Sequence, residues 1–215
     1  NGAWDEAMQH FEAALISKPD SISAHINKAN LHLAKGEMDK AYQHYNKAIE
    51  IDPEQASSWE MFAKFFMLAN QPAEAAEAWG QAVQLKPEET SYRLELAKVL
   101  IKLERFQDAK NILDLILLKQ PQDVPAWTQM GILYLMRKDF GSAIDVFRKT
   151  LGLAPEDETA RYHLALSYLA AGEQPKAEIE FERLLLLYPQ LIQVRTDLAV
   201  LLLSKGELEK ALHEL

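Results

Sequence analysis

Three histidines near the start of the chain, His25, His32 and His44, are the first residues whose types and spacing suggest chemistry. His25 and His32 lie seven apart, on one face of a helix, and His44 falls in the next periodic segment. Imidazoles so placed could ligate zinc, provided that three or four ligands converge and a second layer of contacts orients them. Their positions argue against it. His25 and His32 stand in columns that elsewhere hold Trp59 and Tyr134, so they read as replacements for packed aromatics, and no metal is expected. His163 stands alone, and His10 and His213 lie near the ends. Carboxylates are many, 32 Asp and Glu in all, yet stretches such as "PAEAAEAW" and "KAEIEFER" place them on solvated helix faces. There is no Gly-rich phosphate loop, no Gly-x-Ser-x-Gly elbow and no His-Glu-x-x-His. The absence of cysteine removes thiol nucleophiles, disulfides and thiolate metal sites together. The chain does not read as an enzyme, and neither a catalytic residue nor a cofactor is expected.

A net charge of −9 sets the surface against nucleic acid, because phosphate backbones repel it. The longest apolar runs, "LLLLY" and "LAVLLL", are far too short to span a bilayer, so no membrane insertion is expected of this segment. The stretch "NGAWDEAMQHFEAAL" has no basic start and no apolar centre, unlike a secretory leader. Composition leaves the compartment open between cytoplasm and periplasm.

What must position any site is a repeat. Pro19, Pro53, Pro87, Pro121, Pro155 and Pro189 are spaced by 34 residues without an insertion. Ala7, Ala41, Ala75, Ala109, Ala143, Ala177 and Ala211 keep the same beat. A third comb, Ala29, Ala63, Ala97, Gly131, Ala165 and Ala199, holds only the two smallest side chains. Large residues form further columns: Phe11, Tyr45, Trp79, Leu113, Phe147, Phe181 and Leu215 in one, and His32, Phe66, Leu100, Tyr134, Tyr168 and Leu202 in another.

Trp127, Gly131, Tyr134, Ala143, Phe147 and Pro155 match the spacing of the tetratricopeptide repeat, and the chain resembles that family throughout. The register gives a half repeat at 1–21, full repeats at 22–55, 56–89, 90–123, 124–157 and 158–191, and a partial repeat at 192–215. The resemblance implies an all-α, right-handed α-solenoid of helical hairpins in a single array. The first residue falls in a turn and the last inside a second helix, with no polar capping helix. The expectation is a fragment of a longer protein, or ends that pack on another molecule; self-association through these ends is one form of that.

Within 124–157 the spacing predicts a first helix from Asp123, its N-cap, to Met136–Arg137, with Pro125 in the first turn. A second helix is predicted over 141–153, with Ala143, Phe147 and Leu151 on one face. Gly2, Gly36, Gly172 and Gly206, with Asn70 as a substitute, mark the turn inside each hairpin, where a left-handed residue ends the helix. The Gly131 and Ala143 combs are expected where paired helices come closest. On that reading Gly131→Leu loosens the repeat, whereas Gly131→Ala is neutral or stabilising.

The family resemblance places recognition on the inner face of the first helices, in a concave groove. One row there is Asn30, Lys64, Lys98, Ile132, Leu166 and Val200, basic or polar early and apolar later, with Lys102, Met136 and Tyr162 beside it. A second row is Leu33, Met67, Ile101, Leu135, Leu169 and Leu203. The expected ligand is a peptide or helical segment of a partner protein, its acidic part toward Lys64, Lys98 and Lys102, its apolar anchors toward the rest. Glu60 and Glu95 could instead pair with these lysines along their own helices. A carboxylate clamp of the kind some co-chaperones of the family use would require Ile26, Asn30, Met61, Ser91 and Glu95, of which Asn30 alone fits. Two other readings remain: a substrate-presenting arm of a larger enzyme such as a glycosyltransferase, and a structural scaffold that assembles with itself.

Overall fold

The computed structural model describes residues 2–214, except for the side chains of Gly2, Ala3 and Asp5. The chain divides into two compact units, Asn1–Arg105 and Phe106–Leu215. The first holds α1 (Gly2–Ser17), α2 (Ile22–Ala34), α3 (Met38–Ile51), α4 (Ala56–Leu68), α5 (Pro72–Leu85) and α6 (Thr90–Lys102). The second holds α7 (Phe106–Lys119), α8 (Val124–Met136), α9 (Phe140–Leu153), α10 (Glu158–Ala170), α11 (Gln174–Leu187), α12 (Ile192–Ser204) and α13 (Leu208–Glu214). No strand occurs among the described residues.

A 13-residue first helix and a 14-residue second helix recur, joined by a short turn and separated from the next pair by a bend. Connections this short make the paired helices antiparallel neighbours. Inside the first unit α2 packs on α3 and α4 on α5; inside the second, α8 packs on α9 and α10 on α11. Consecutive first helices also touch directly, α2 with α4 and α8 with α10.

Both kinds of connection follow from the sequence combs. All six comb prolines sit in the bends between hairpins. Three bends lead into helices capped by aspartate or serine: Asp123 accepts from the Ala126 N–H at 2.7 Å, Asp157 from Ala160 at 2.6 Å, and Ser21 from Ala24 at 3.4 Å. Inside each hairpin one residue takes the left-handed conformation, and the following N–H donates back to the fifth carbonyl upstream, as Glu37 does to His32 and Glu173 to Tyr168. Gly36, Gly172 and Gly206 fill this place as expected, and Asn70 does too. Two copies carry neither residue: Glu104 (φ 57°) and Lys138 (φ 62°) hold the same geometry against their Cβ atoms. Gly2 opens α1, and the junction expected before it lies outside the described residues, as does Leu215.

The small-residue combs lie at full burial. Ala29, Ala63, Ala97 and Ala165, with Ala41, Ala75, Ala109, Ala143 and Ala177, are inaccessible to solvent. In the second unit Phe147, Phe181 and Leu184 pack around them. In the first, Tyr42, Tyr45, Phe62, Phe65 and Phe66 form a continuous aromatic cluster with ring centroids 4.3 to 6.3 Å apart. One expectation is overturned. A Cβ placed on Gly131 would lie 2.5, 2.7 and 2.8 Å from three ring atoms of the fully buried Phe147. In this hairpin the aromatic ring occupies the volume of the missing methyl, so alanine is not neutral there.

Candidate partner-binding surface

The three histidines gather in the α2–α3 hairpin, but they satisfy one another. His25 Nε2 lies 3.0 Å from the Pro19 carbonyl oxygen, and its Nδ1 lies 3.0 Å from His44 Nδ1. A neutral His25 that donates from Nε2 offers an acceptor at Nδ1, so His44 is the donor of that pair. His32 stacks on His44 at 5.5 Å and 4°, and its Nδ1 reaches Glu37 Oε2 at 2.7 Å. Burial, helped by Lys28, His25 and His32, holds the His44 imidazole down to about 4. These ring nitrogens are taken up by each other, by the Pro19 carbonyl and by the Glu37 carboxylate. Among the described residues no group of three or more ligating side chains is arranged to hold a metal ion.

The column of His25, Trp59, Arg93, Trp127, Arg161 and Arg195 has, in every member but Arg93, a use that aromatic character does not explain. Five of the six donate to the carbonyl of the comb proline six residues upstream: His25 at 3.0 Å, Trp59 at 2.8 Å, Trp127 at 2.9 Å and Arg195 at 2.5 Å, with Arg161 bonding Pro155 likewise. Histidine, tryptophan and arginine have a side-chain N–H of suitable reach in common. His25 therefore replaces tryptophan as a donor rather than as a ring. The sequence signal was present in the chemistry of the column, whereas reading it as a packing column hid it.

In the first unit the expected site residues are engaged. Asn30 Oδ1 accepts from the Tyr45 hydroxyl at 2.5 Å and so ties α2 to α3. Lys64 pairs with Glu60 at 2.6 Å and Lys98 with Glu95 at 2.6 Å, the intrahelical arrangement that the spacing also allowed. Such exposed pairs are weak, about 0.2–1 kcal/mol each, so a partner carboxylate can exchange for either glutamate. Lys102 Nζ meets only the neutral Asn70 Oδ1, at 3.4 Å, and so has no carboxylate partner among the described residues. Glu60 also accepts from the Tyr92 hydroxyl at 3.0 Å, which joins α6 to α4. Burial and that contact push the Tyr92 phenol up to about 12.

In the second unit the expected residues divide into a half-buried set and an exposed set. Ile132, Leu135, Tyr162, Leu166 and Leu169 are half-buried and pack against the core. Met136, Val200 and Leu203 stay open on first helices, at 51%, 60% and 45% exposure. The Tyr162 hydroxyl donates to Asp197 Oδ2 at 2.8 Å, tying α10 to α12. Burial and the Asp197 carboxylate raise the Tyr162 phenol to about 12. Tyr92 and Asp197 were missed from the sequence, because each is half of a bond between residues 32 to 35 apart. Beside Tyr162 a cleft of about 320 Å³ opens between the N-terminal turns of α10 and α12, lined in part by His163, Leu191 and Ile192. Burial holds the His163 imidazole below its usual range.

Stacked helical hairpins with fully buried small-residue combs define a helical repeat protein whose exposed chemistry suits protein contacts. The chain belongs to the tetratricopeptide repeat family. The family described as the cytochrome c-type biogenesis protein H TPR domain matches residues 46–162, and tetratricopeptide repeat patterns match 22–55 and 134–194. The fold class is all-α, the tetratricopeptide-repeat solenoid. A tetratricopeptide repeat protein from Parabacteroides merdae ATCC 43184 is similar over 99% of this chain and 84% of its own, with TM-score 0.85 and 18% identity. PilW, a type IV pilus biogenesis factor, is similar over 91% and 90%, with TM-score 0.73 and 22% identity. YrrB, a TPR protein with an unusual peptide-binding site, covers 86% and 95%, with TM-score 0.62 and 22% identity. No curated protein matches the chain. The family and fold support a protein-interaction scaffold in general, and no described helix is long and apolar enough to cross a membrane.

Proposed function

We propose that the chain is a non-catalytic scaffold that binds a segment of a partner protein on the first-helix face of its second unit. The observation that carries this is the run of apolar first-helix residues, half-buried at Ile132, Leu135, Tyr162, Leu166 and Leu169 and open at Met136 on α8 and at Val200 and Leu203 on α12. A soluble surface gains by covering such a patch, and apolar anchors of an extended or helical segment would do so. In the first unit Lys102, together with Lys64 and Lys98 once these leave their glutamates, provides cations for acidic side chains of a partner. Asn30 contributes through its position on α2 and stays bonded to Tyr45. The family match over residues 46–162 supports placing the partner among polypeptides of cytochrome c-type biogenesis.

The test is a titration of labelled, overlapping peptides from a c-type cytochrome polypeptide against the full chain, read by fluorescence anisotropy. Met136→Glu with Val200→Glu changes exposed positions only, so helicity should hold while capture weakens about tenfold or more, the scale of burying charge at an apolar contact. Undiminished capture by this double variant removes the surface from the function.

A further inference from the structure

A second surface lies in the first unit, away from the first-helix rows. It is a cleft of about 590 Å³ where the start of α3 meets the end of α4 and the start of α5. Tyr42, half of a ring pair with Phe66 at 6.2 Å, forms an aromatic wall. Met38 and Leu68 are exposed at its edge, and the Asp39 and Glu74 carboxylates line it. Neither carboxylate has an ion-pair partner among the described residues.

The 34-residue register shows what this place holds in other copies. In the position of Glu74 stand Lys40, Asp108, Ser142, Lys176 and Lys210, and in the position of Ala69 stand Lys35, Leu103, Arg137, Ala171 and Lys205. Lys40 pairs with Glu37 at 3.1 Å. Lys176 pairs with Glu173 and lies 5.4 Å from the ring centroid of Tyr168, which occupies the Phe66 position. Lys205 sits 2.5 Å from Glu178, in the Tyr42 position, and 2.6 Å from Glu207, to which Lys210 also turns at 2.7 Å. The α8–α9 copy carries Arg137 in the Ala69 position. The α4–α5 copy has alanine and glutamate at these two places and adds the aromatic pair of Tyr42 and Phe66 and a second carboxylate, Asp39; the α6–α7 copy, with Leu103 and Asp108, also lacks a cation there but has no aromatic pair.

We propose that this cleft takes a lysine or arginine side chain of a partner protein, held against Tyr42 and Phe66 and between Asp39 and Glu74, where four of the other repeats carry a cation of their own. A cation over an aromatic face with carboxylates beside it is favourable. The net charge of −9 draws basic segments toward the chain. Met38 and Leu68 give an apolar neighbour of that basic residue a surface to cover.

The experiment uses the full chain, labelled with ¹⁵N, and two capped pentapeptides, Ala-Leu-Arg-Leu-Ala and its citrulline counterpart, which keeps the shape of arginine without its charge. The arginine peptide should shift amides of residues 38–42 and 69–74 and bind about tenfold more tightly than the citrulline peptide. Raising salt from about 0.05 to 0.5 M should weaken it severalfold. Glu74→Lys, which introduces the cation found at this position in three other repeats, and the milder Glu74→Gln should each remove most of the binding with unchanged helicity. Met136→Glu/Val200→Glu should leave it intact, which separates this site from the first-helix surface. Equal binding of both peptides, shifts centred elsewhere, undiminished binding by both Glu74 variants, or no shifts at about 10 mM peptide, well above the Kd such a contact supports, would each overturn the proposal.

Discussion

Gly131→Ala sets two well-measured effects against each other in one hairpin. Glycine in a helix interior is worth about 1 kcal/mol less than alanine, so an open site would gain that much. Here the added methyl meets three atoms of the Phe147 ring at 2.5 to 2.8 Å. An ordinary contact needs roughly 1 Å more, and Phe147 is fully buried, so α8 and α9 must separate or the ring must leave its rotamer. Overpacking of this kind costs about 1–3 kcal/mol. The net expectation is a destabilisation of about 1 kcal/mol, measured by urea unfolding with circular dichroism and by hydrogen exchange of the α8 amides. A second background sharpens the sign. Phe147→Leu destabilises by itself because it opens a cavity, but it vacates the ring positions. Gly131→Ala should therefore stabilise the Phe147→Leu variant while destabilising the natural chain, a coupling of at least 1 kcal/mol of the kind seen between residues in contact. If alanine at 131 stabilises both backgrounds, the close approach of α8 to Phe147 is wrong.

Replacing Glu180 by alanine leaves the half-buried Arg161 guanidinium without its 2.8 Å carboxylate partner, though still bonded to Pro155, and frees Arg183 as well, so the second unit should lose about 1–3 kcal/mol in urea unfolding. Arg195→Trp should keep the bond to Pro189 and leave the melting temperature unchanged, whereas Arg195→Leu should cost about 1 kcal/mol; equal losses would show that the column needs no donor. Lys138→Gly relieves a left-handed residue and should stabilise by roughly 0.5–1 kcal/mol in the same assay. The His44 imidazole titrates near 4 in the folded chain against 6.5 unfolded, so the unfolded state binds the extra proton first. Stability of the first unit should be at its full value above pH 6.5 and fall toward pH 4, and His44→Gln should flatten that slope in urea midpoints taken across the range.

The hairpins were legible because the physics that builds them is local and periodic. The first helix of 124–157 begins where Asp123 announces it and ends at Met136, and the second starts at Phe140, one residue before the sequence expectation. Connections were legible for a similar reason: proline and glycine each restrict or release one backbone angle wherever they stand. Glu104 and Lys138 were not, since nothing in their side chains favours the left-handed turn that the flanking helices impose. At the candidate surface, spacing named the residues of each row but not their exposure. Ile101 and Leu203 share a column, yet the first is buried and the second open. The cost of a methyl at Gly131 depends on a ring sixteen residues away, whose position two helix axes decide together.

The side-chain bonds to the proline carbonyls bear on how the chain tolerates change in length. Donor and acceptor belong to the same bend and the same helix, six residues apart, so each of the five spacers that carries the bond is measured without reference to its neighbours. An inserted or deleted residue would carry the donor round the axis and out of reach. The bond thus acts as a local gauge, under which one module can be copied or exchanged for another with its stride preserved.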